Sequence, residues 1–229
     1  MVSAGDVMEN PVSGQRLIFR KTARDTAGDL LEVESVYTKP TPHRPPAHFH
    51  PLQDERFEVI SGRLGVLLNG EERTLGEGKV LIVPSGTPHE MWADEAGTRV
   101  HWQTSPALNT EAFFETLWGL AKDGKTNEKG VPDLLRVALI ALEYEDEFRL
   151  ATPPWVVQRA LFGVLALVGR ALGYEAQYPY SADGPQAASG TSVERWSVGP
   201  RTLRGKLLVA AVLGLFVLLV SRRNRRPKR

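Results

Sequence analysis

Three histidines and one glutamate have the types and spacing of a candidate metal site. His48 and His50 lie two positions apart in the segment AHFHPLQDERFEVISG, and Glu55 follows shortly after them. Residues i and i+2 of a strand project from the same face, so both imidazoles can reach one cation. A following strand can return the Glu55 carboxylate towards them, and His89, in GEGKVLIVPSGTPHEMWA, offers a third imidazole. Imidazoles with one carboxylate suit divalent iron, manganese, nickel, copper or zinc.

The composition excludes several kinds of active site and partner. The chain has no cysteine, which excludes disulfides, thiolate nucleophiles and cysteine-ligated zinc or iron–sulfur sites. Of its 28 Lys and Arg residues, six lie in the last nine residues, SRRNRRPKR, so the remaining chain holds 22 basic against 27 acidic residues. The basic character is therefore local, and we expect no nucleic-acid partner.

Residues 16 to about 104 are expected to form a β-structure that positions these side chains. Short apolar or alternating runs are separated by turns rich in Gly and Pro, and the Asn-Gly of NGEE favours a tight hairpin. The runs are RLIFRK, DLLEVESVYTK, RFEVISGRLGVLLNGEERTL, GKVLIVPSG and HEMWADEAGTRVHWQT. Many short strands of this kind are typical of an all-β sandwich or barrel.

The pattern changes from β to α near residue 109. Three stretches with apolar residues three and four apart predict helices. They are NTEAFFETLWGLAKDG, VPDLLRVALIALEYEDEFRL and PPWVVQRALFGVLALVGRALGY. An Asn or Thr could cap the first helix, and Pro132 lies near the start of the second.

Eight positions in two separate stretches resemble the two sequence motifs of the cupin superfamily. They are His48, His50, Glu55 and Gly62 in the first motif, and Gly78, Pro84, Gly86 and His89 in the second. The chain departs from the pattern at Pro42, where the first motif usually opens with Gly, and at Ala93, where the second usually closes with Asn. Neither position is a metal ligand. The resemblance covers residues 16–106, and the whole chain resembles a small single-domain bacterial cupin with a C-terminal extension.

The resemblance implies a mainly β fold: one jelly-roll, or double-stranded β-helix, barrel followed by α-helices. The last helix is expected to be a membrane helix on its apolar sequence, which is an addition to the cupin pattern. The resemblance implies a divalent transition metal on His48, His50, Glu55 and His89, with one or two coordination positions open; a barrel without metal is the alternative. It also suggests a homodimer contact through the strand RLIFRK. The expected domains are the cupin barrel (1–107), a helical extension (108–180), a linker (181–202), a membrane-anchoring helix (203–221) and a basic tail (222–229).

The residues in phase with these ligands suggest the class of substrate. Phe57 and Val59 are in phase with Glu55, and Met91 is in phase with His89. His101, on the strand after His89, is a fourth candidate pocket residue. The first three could equally be barrel filling, and His101 could be a surface imidazole. A sugar-phosphate pocket would need inward Arg or Lys, so the pattern favours an apolar or aromatic small molecule.

Three functions are compatible with these residues. Similarity to quercetinase-type cupin dioxygenases would imply a metal-dependent oxygenase in which Glu55 takes the substrate proton. The alternatives are a non-catalytic ligand-binding cupin and a regulatory module tethered to the membrane. Turnover with oxygen consumption separates the enzyme from the binding modules.

Residues 207–220 are fourteen uninterrupted apolar residues followed by the basic tail, which predicts membrane anchoring through 203–221. The N-terminus has no signal-peptide pattern, so we expect the cupin domain on the cytoplasmic side. One topology is a single anchor whose basic tail crosses the membrane against the usual rule, with residues 155–174 lying flat on the bilayer or packing on the barrel. The other is a hairpin in which 155–174 forms a first span. A buried core helix is the alternative to both.

Overall fold

A computed structural model of the chain describes residues 2–181 as a β-structure followed by helices. The strands are β1 (Val7–Asn10), β2 (Gln15–Lys21), β3 (Leu31–Tyr37), β4 (His48–Phe49), β5 (Asp54–Ser61), β6 (Leu64–Leu68), β7 (Glu71–Leu75), β8 (Val80–Val83), β9 (His89–Ala93), β10 (Arg99–Ser105) and β11 (Arg149–Leu150). The helices are α1 (Thr110–Lys122), α2 (Leu134–Glu143) and α3 (Trp155–Ala171). The predicted mainly β fold followed by helices is confirmed.

The strands form two antiparallel sheets. One has the order β1-β2-β3-β10-β5-β8, and the other has the order β11-β4-β9-β6-β7. Strand β5 alternates as expected, with Glu55, Phe57 and Val59 buried. A core of residues from both sheets packs around this strand, and its buried members are Phe57, Val59, Leu64, Val66, Val83 and Val100.

Two turns explain why β5, β6 and β7 follow one another so closely. Gly62 joins β5 to β6 with φ +79°, and a Cβ there would lie 2.6 Å from the Thr98 hydroxyl. Asn69 and Gly70 join β6 to β7 with φ of 51° and 85°. Two consecutive positive φ values are the signature of the type I′ hairpin that Asn-Gly favours.

The helical extension packs on the β-structure through its aromatic residues. Phe113, Phe114 and Trp118 of α1 join the buried core beside Leu17 and Phe19 of β2. This burial fixes α1 against the six-stranded sheet.

Side-chain caps differ between the first two helices. Asn109 precedes α1 without a side-chain cap. Helix α2 is capped by Asp133, whose carboxylate accepts from the backbone N–H groups of Leu135 and Arg136. The sequence patterns did not indicate this cap.

The sequence patterns missed two short strands. Strand β1 precedes the region expected to be β, and β11 lies within the stretch expected to be helical. Leu150 of β11 pairs with His48 of β4, so the extension adds a strand to the five-stranded sheet. Strand β2, the RLIFRK segment, lies between β1 and β3. It is therefore an inner strand, and a dimer contact through its edge is not supported.

Within residues 2–181, no helix has both the length and the hydrophobicity needed to span a bilayer. The 17 residues of α3 therefore do not support the hairpin topology, which used 155–174 as its first span. The expected anchoring helix 203–221 and basic tail 222–229 lie outside the described residues, as does the linker beyond residue 181.

Candidate metal centre

The fold brings the three histidines together from two segments of the chain. His48 lies on β4 directly opposite His89 on β9, and His50 follows two residues after His48. One ring nitrogen from each of the three lies within 4.8 Å of the others. This separation is suitable for ligands that share one cation, because each metal–nitrogen bond is about 2 Å long.

Glu55 brings a carboxylate to this cluster of three histidines. Its Oε2 atom lies 3.2 Å from Nε2 of His50 and 3.1 Å from Nε2 of His89. Its Oε1 atom accepts a hydrogen bond of 3.0 Å from the indole N–H of Trp102. Trp102 thus orients the carboxylate so that one oxygen faces the histidines.

The second ring nitrogen of each histidine contacts a backbone carbonyl oxygen. The contacts run from Nδ1 of His48 to Pro46 (2.9 Å), of His50 to Glu147 (2.5 Å) and of His89 to Thr87 (2.9 Å). A carbonyl oxygen only accepts, so Nδ1 must carry the proton in each contact. In a neutral imidazole the Nε2 atom then keeps its lone pair, as a metal ligand requires.

The polar atoms that converge here fit a cation. Nε2 of His50, Nε2 of His89 and Oε2 of Glu55 are buried, and among the described residues they have no hydrogen-bond partner of suitable angle. The 3.1–3.2 Å separations place the atoms side by side rather than along donor–acceptor lines. Buried polar atoms are rarely left without partners, and a metal ion would satisfy all three.

The electrostatics favour the metal-ligating protonation states of His48 and Glu55, whereas Glu55 favours the protonated form of His89. Burial, together with the neighbouring His89 and His50, lowers the pKa of His48 to about 3, so this imidazole is neutral at pH 7. Burial alone would raise the pKa of Glu55, but His50 and His89 outweigh it and the pKa is lowered. Glu55 is therefore a carboxylate. For His89, burial lowers the pKa, but the Glu55 carboxylate outweighs this effect and the pKa is raised.

Three of the four predicted pocket residues pack in the barrel core. Phe57 is 4% exposed and Val59 is fully buried, and half-buried Met91 packs against the same core. These contacts are those of barrel filling, the alternative that the sequence left open. Phe57 also stacks on Trp102, with ring centroids 5.4 Å apart, so it supports the residue that orients Glu55.

His101 does not face the cavity, which corrects the expectation that it lines the pocket. Its Nε2 atom lies 3.3 Å from the Glu32 carboxylate. Successive residues of a strand point to opposite faces, and its neighbours Val100 and Trp102 both pack into the core. The imidazole of His101 therefore belongs to the outer face of the six-stranded sheet.

Sequence reasoning missed two residues that contact the cluster. Trp102 shares the alternation of Val100 on β10, a signal that could have placed it inside. Phe148 stacks on the His48 ring with centroids 4.7 Å apart and an interplanar angle of 24°. It lies in EYEDEFRL, which follows a helical pattern and gives no sign of proximity to His48.

Comparison with known proteins gives the following similarities. Residues 34–104 match the family model for the cupin domain. An oxidoreductase of Arthrobotrys oligospora is 34% identical over 152 residues, covering 59% of this chain and 58% of the relative. The chain thus matches little more than half the length of that relative. The probable oxidoreductase yanE of Aspergillus niger is 30% identical over 190 residues, covering 74% and 72%.

One structural similarity completes the comparison. The structure of KdgF from Halomonas sp. superposes with a TM-score of 0.40 at 24% sequence identity, covering 46% of this chain and 90% of that chain.

Proposed function

Because the chain belongs to the cupin superfamily, we propose that it is a metal-dependent oxidoreductase with its metal on His48, His50, Glu55 and His89. The observation that carries the proposal is the orientation of the three imidazoles. Their Nδ1 atoms contact backbone carbonyls, and one ring nitrogen from each lies within 4.8 Å of the others. This is the arrangement of metal-ligating histidines. The relatives of Arthrobotrys oligospora and Aspergillus niger carry the name oxidoreductase, which agrees with redox chemistry.

Glu55 is the residue proposed to move a proton. A divalent transition metal bound at this centre supplies Lewis acidity towards a substrate oxygen. The Glu55 Oε1 atom is held by Trp102, whereas Oε2 has no hydrogen-bond partner of suitable angle among the described residues. Oε2 is therefore the atom that would take the proton of a substrate hydroxyl, by shifting away from its ligand position. The residue is 2% exposed, so little water competes for that proton.

The proposed substrate is an apolar or aromatic small molecule with an enol or phenol hydroxyl, and the proposed oxidant is molecular oxygen. The aromatic side chains of Trp102 and Phe148 both contact the cluster. Aromatic surroundings favour an apolar or aromatic substrate over a charged one. A phosphorylated substrate would instead require Arg or Lys beside the ligands to bind its charge.

Oxygen consumption tests this function. The full chain, loaded separately with Fe²⁺, Mn²⁺, Ni²⁺ and Cu²⁺, is assayed on an oxygen electrode with a panel of enols and phenols. His50→Ala should abolish consumption because it removes a ligand. His101→Ala should leave it unchanged, because that imidazole lies on the outer face. A protein that binds metal and consumes no oxygen with any member of the panel would favour the non-catalytic ligand-binding module.

Attachment to a membrane is the second part of the proposal, with the cupin domain on the cytoplasmic side. The apolar run 207–220 supports a single anchor. With the cupin domain on the cytoplasmic side, a single anchor would carry the basic tail across the membrane, against the rule that basic flanks stay cytoplasmic. Helix α3 supports surface contact as well, because Val156, Val164 and Leu167 are exposed on it together with Arg159 and Arg170. An exposed apolar face flanked by arginines is the pattern of a helix lying on an anionic bilayer.

A further inference from the structure

We propose that residues 144–150, between α2 and β11, complete the metal centre: Glu147 positions His50 and Phe148 positions His48. The proposal rests on the metal site proposed above. It assigns a role at that site to the helical extension, which lies outside the residues that match the cupin model. We refer to residues 144–150 as the ligand-bracing segment.

The ligand-bracing segment is attached to the strand that carries His48. Leu150 of β11 pairs with His48, and Arg149 pairs with Phe49. One residue further, the N–H of Ala151 donates to the carbonyl of Ala47 over 2.8 Å. Backbone hydrogen bonds of this kind fix the position of the segment relative to β4, so its preceding residues stand at a defined distance from the histidines.

Glu147 contacts the metal centre through its backbone and is itself held by its side chain. Its carbonyl oxygen accepts from Nδ1 of His50, at 2.5 Å. Its carboxylate Oε1 accepts from both the backbone N–H and the side-chain amide of Asn109, each at 3.0 Å. Glu147 is 3% exposed. The side chain therefore anchors the carbonyl that sets the tautomer and ring orientation of His50.

Phe148 acts on the other histidine of the pair. Its ring stacks on that of His48 at 4.7 Å, and Phe113 of α1 packs behind it at 5.4 Å. His48 is more exposed to solvent than His50 and His89. A stacked aromatic ring restricts rotation of the imidazole plane and gives Nε2 one direction. Phe148 would also border the space that remains open to a substrate.

Cobalt binding to the full chain tests the role of Glu147. Co²⁺ is titrated as the probe into the wild type and three variants, with affinity from competition and geometry from the visible absorption spectrum. Glu147→Ala should weaken Co²⁺ affinity about tenfold, the lower range for loss of a residue that orients a metal ligand, and should change the spectrum. Glu147→Gln should restore both, because its amide oxygen still accepts from Asn109. Glu143→Ala is the matched control, since this exposed carboxylate lies outside the ligand-bracing segment and accepts from Gln177.

Phe148 is tested in parallel, so that the proposal does not depend on one variant folding. Phe148→Leu should weaken Co²⁺ affinity and change the spectrum, whereas Phe148→Tyr keeps the stacked ring and should match the wild type. Tyr180→Leu is the control, because Tyr180 packs on the same helical extension but accepts from the Glu9 N–H of β1. The melting temperature of each metal-free variant separates loss of folding from loss of metal geometry.

The outcomes distinguish this inference from the proposed function. If the wild type binds no Co²⁺, the metal site itself is wrong and the inference falls with it. If the wild type binds Co²⁺, and Glu147→Ala and Phe148→Leu bind it with the affinity and spectrum of their controls, only the role of the ligand-bracing segment is overturned.

Discussion

The indole N–H of Trp102 lies 3.0 Å from the Oε1 atom of Glu55, and this bond directs the second carboxylate oxygen at the imidazoles of His50 and His89. This hydrogen bond links a side chain of β10 to a side chain of β5 inside the core. It connects the packing of the barrel, through the stacking of Phe57 on Trp102, with the direction of one proposed metal ligand.

Removing this hydrogen bond should affect both stability and metal binding. Trp102→Phe leaves a buried Glu55 oxygen without its donor, which costs about 1–3 kcal/mol in the free energy of unfolding of the metal-free protein. Metal affinity should fall as well, because the carboxylate is no longer oriented. Urea denaturation and Co²⁺ titration measure the two effects. The control is Trp155→Phe, at a half-buried tryptophan at the start of α3. Equal behaviour of the two variants would contradict the role assigned to Trp102.

Glu34 should make the stability of the fold depend on pH. Burial alone would raise its pKa, but hydrogen bonds from Arg20 and Arg99 outweigh burial and lower it. A carboxyl whose pKa is lower in the folded state contributes stability above its unfolded pKa of about 4.3 and loses it as pH falls through the folded value. Glu34→Gln should therefore destabilise by about 1–3 kcal/mol at pH 7, and by less below pH 4.

The comparison for Glu34 is Glu58→Gln, at a more exposed carboxylate paired with Arg56. Surface pairs contribute about 0–1 kcal/mol, so this variant should change little at any pH. Urea denaturation at several pH values measures both. A cost for Glu34→Gln that does not shrink on acidification would show that the charge of Glu34 is not its source.

Gly62 should be less replaceable than Gly70, although both have positive φ. The two share the backbone strain of a left-handed conformation, about 1 kcal/mol for alanine. Only at Gly62 would a Cβ also lie 2.6 Å from the Thr98 hydroxyl; at Gly70 it meets nothing within 4 Å. Thermal denaturation should therefore show a larger loss for Gly62→Ala than for Gly70→Ala. Equal losses would mean that Thr98 moves aside without cost.

Vesicle flotation tests the proposed membrane attachment. The full chain should float with vesicles containing anionic lipid. A fragment of residues 1–181 should remain in the soluble fraction if residues 203–221 alone anchor the chain. If the fragment also floats, and Leu167→Asp prevents it, the exposed face of α3 is responsible. A full chain that does not associate with vesicles would contradict anchoring through 203–221.

The sequence predicts those features that depend on local periodicity. The period-two alternation of β5 placed Glu55, Phe57 and Val59 on one face, and Asn-Gly indicated the hairpin between β6 and β7. His101 was expected in the pocket because it lies on the strand after His89, without use of the alternation along its own strand, which points it to the opposite face. The sequence could have indicated the correct face of the strand, because the neighbouring Val100 is apolar. In the structure Val100 is buried.

Contacts between distant segments could not be predicted in the same way. Glu147 is 97 residues from His50 along the chain, and its contribution is a backbone carbonyl, which no residue type signals. Strand β11 has two residues, too few to show an alternation. Its pairing with β4 depends on how α2 leads the chain back to the barrel, which is a consequence of tertiary packing.

Elemental metal analysis of the purified full chain tests the central claim most directly. Wild type, His50→Ala and His101→Ala are supplemented with Fe²⁺, Mn²⁺, Ni²⁺, Cu²⁺ and Zn²⁺ and then desalted. We predict about one equivalent of a divalent transition metal in the wild type and in His101→Ala, and a loss of that metal in His50→Ala. No metal in any of the three, with all of them folded, would contradict the metal centre and the oxidoreductase function proposed from it.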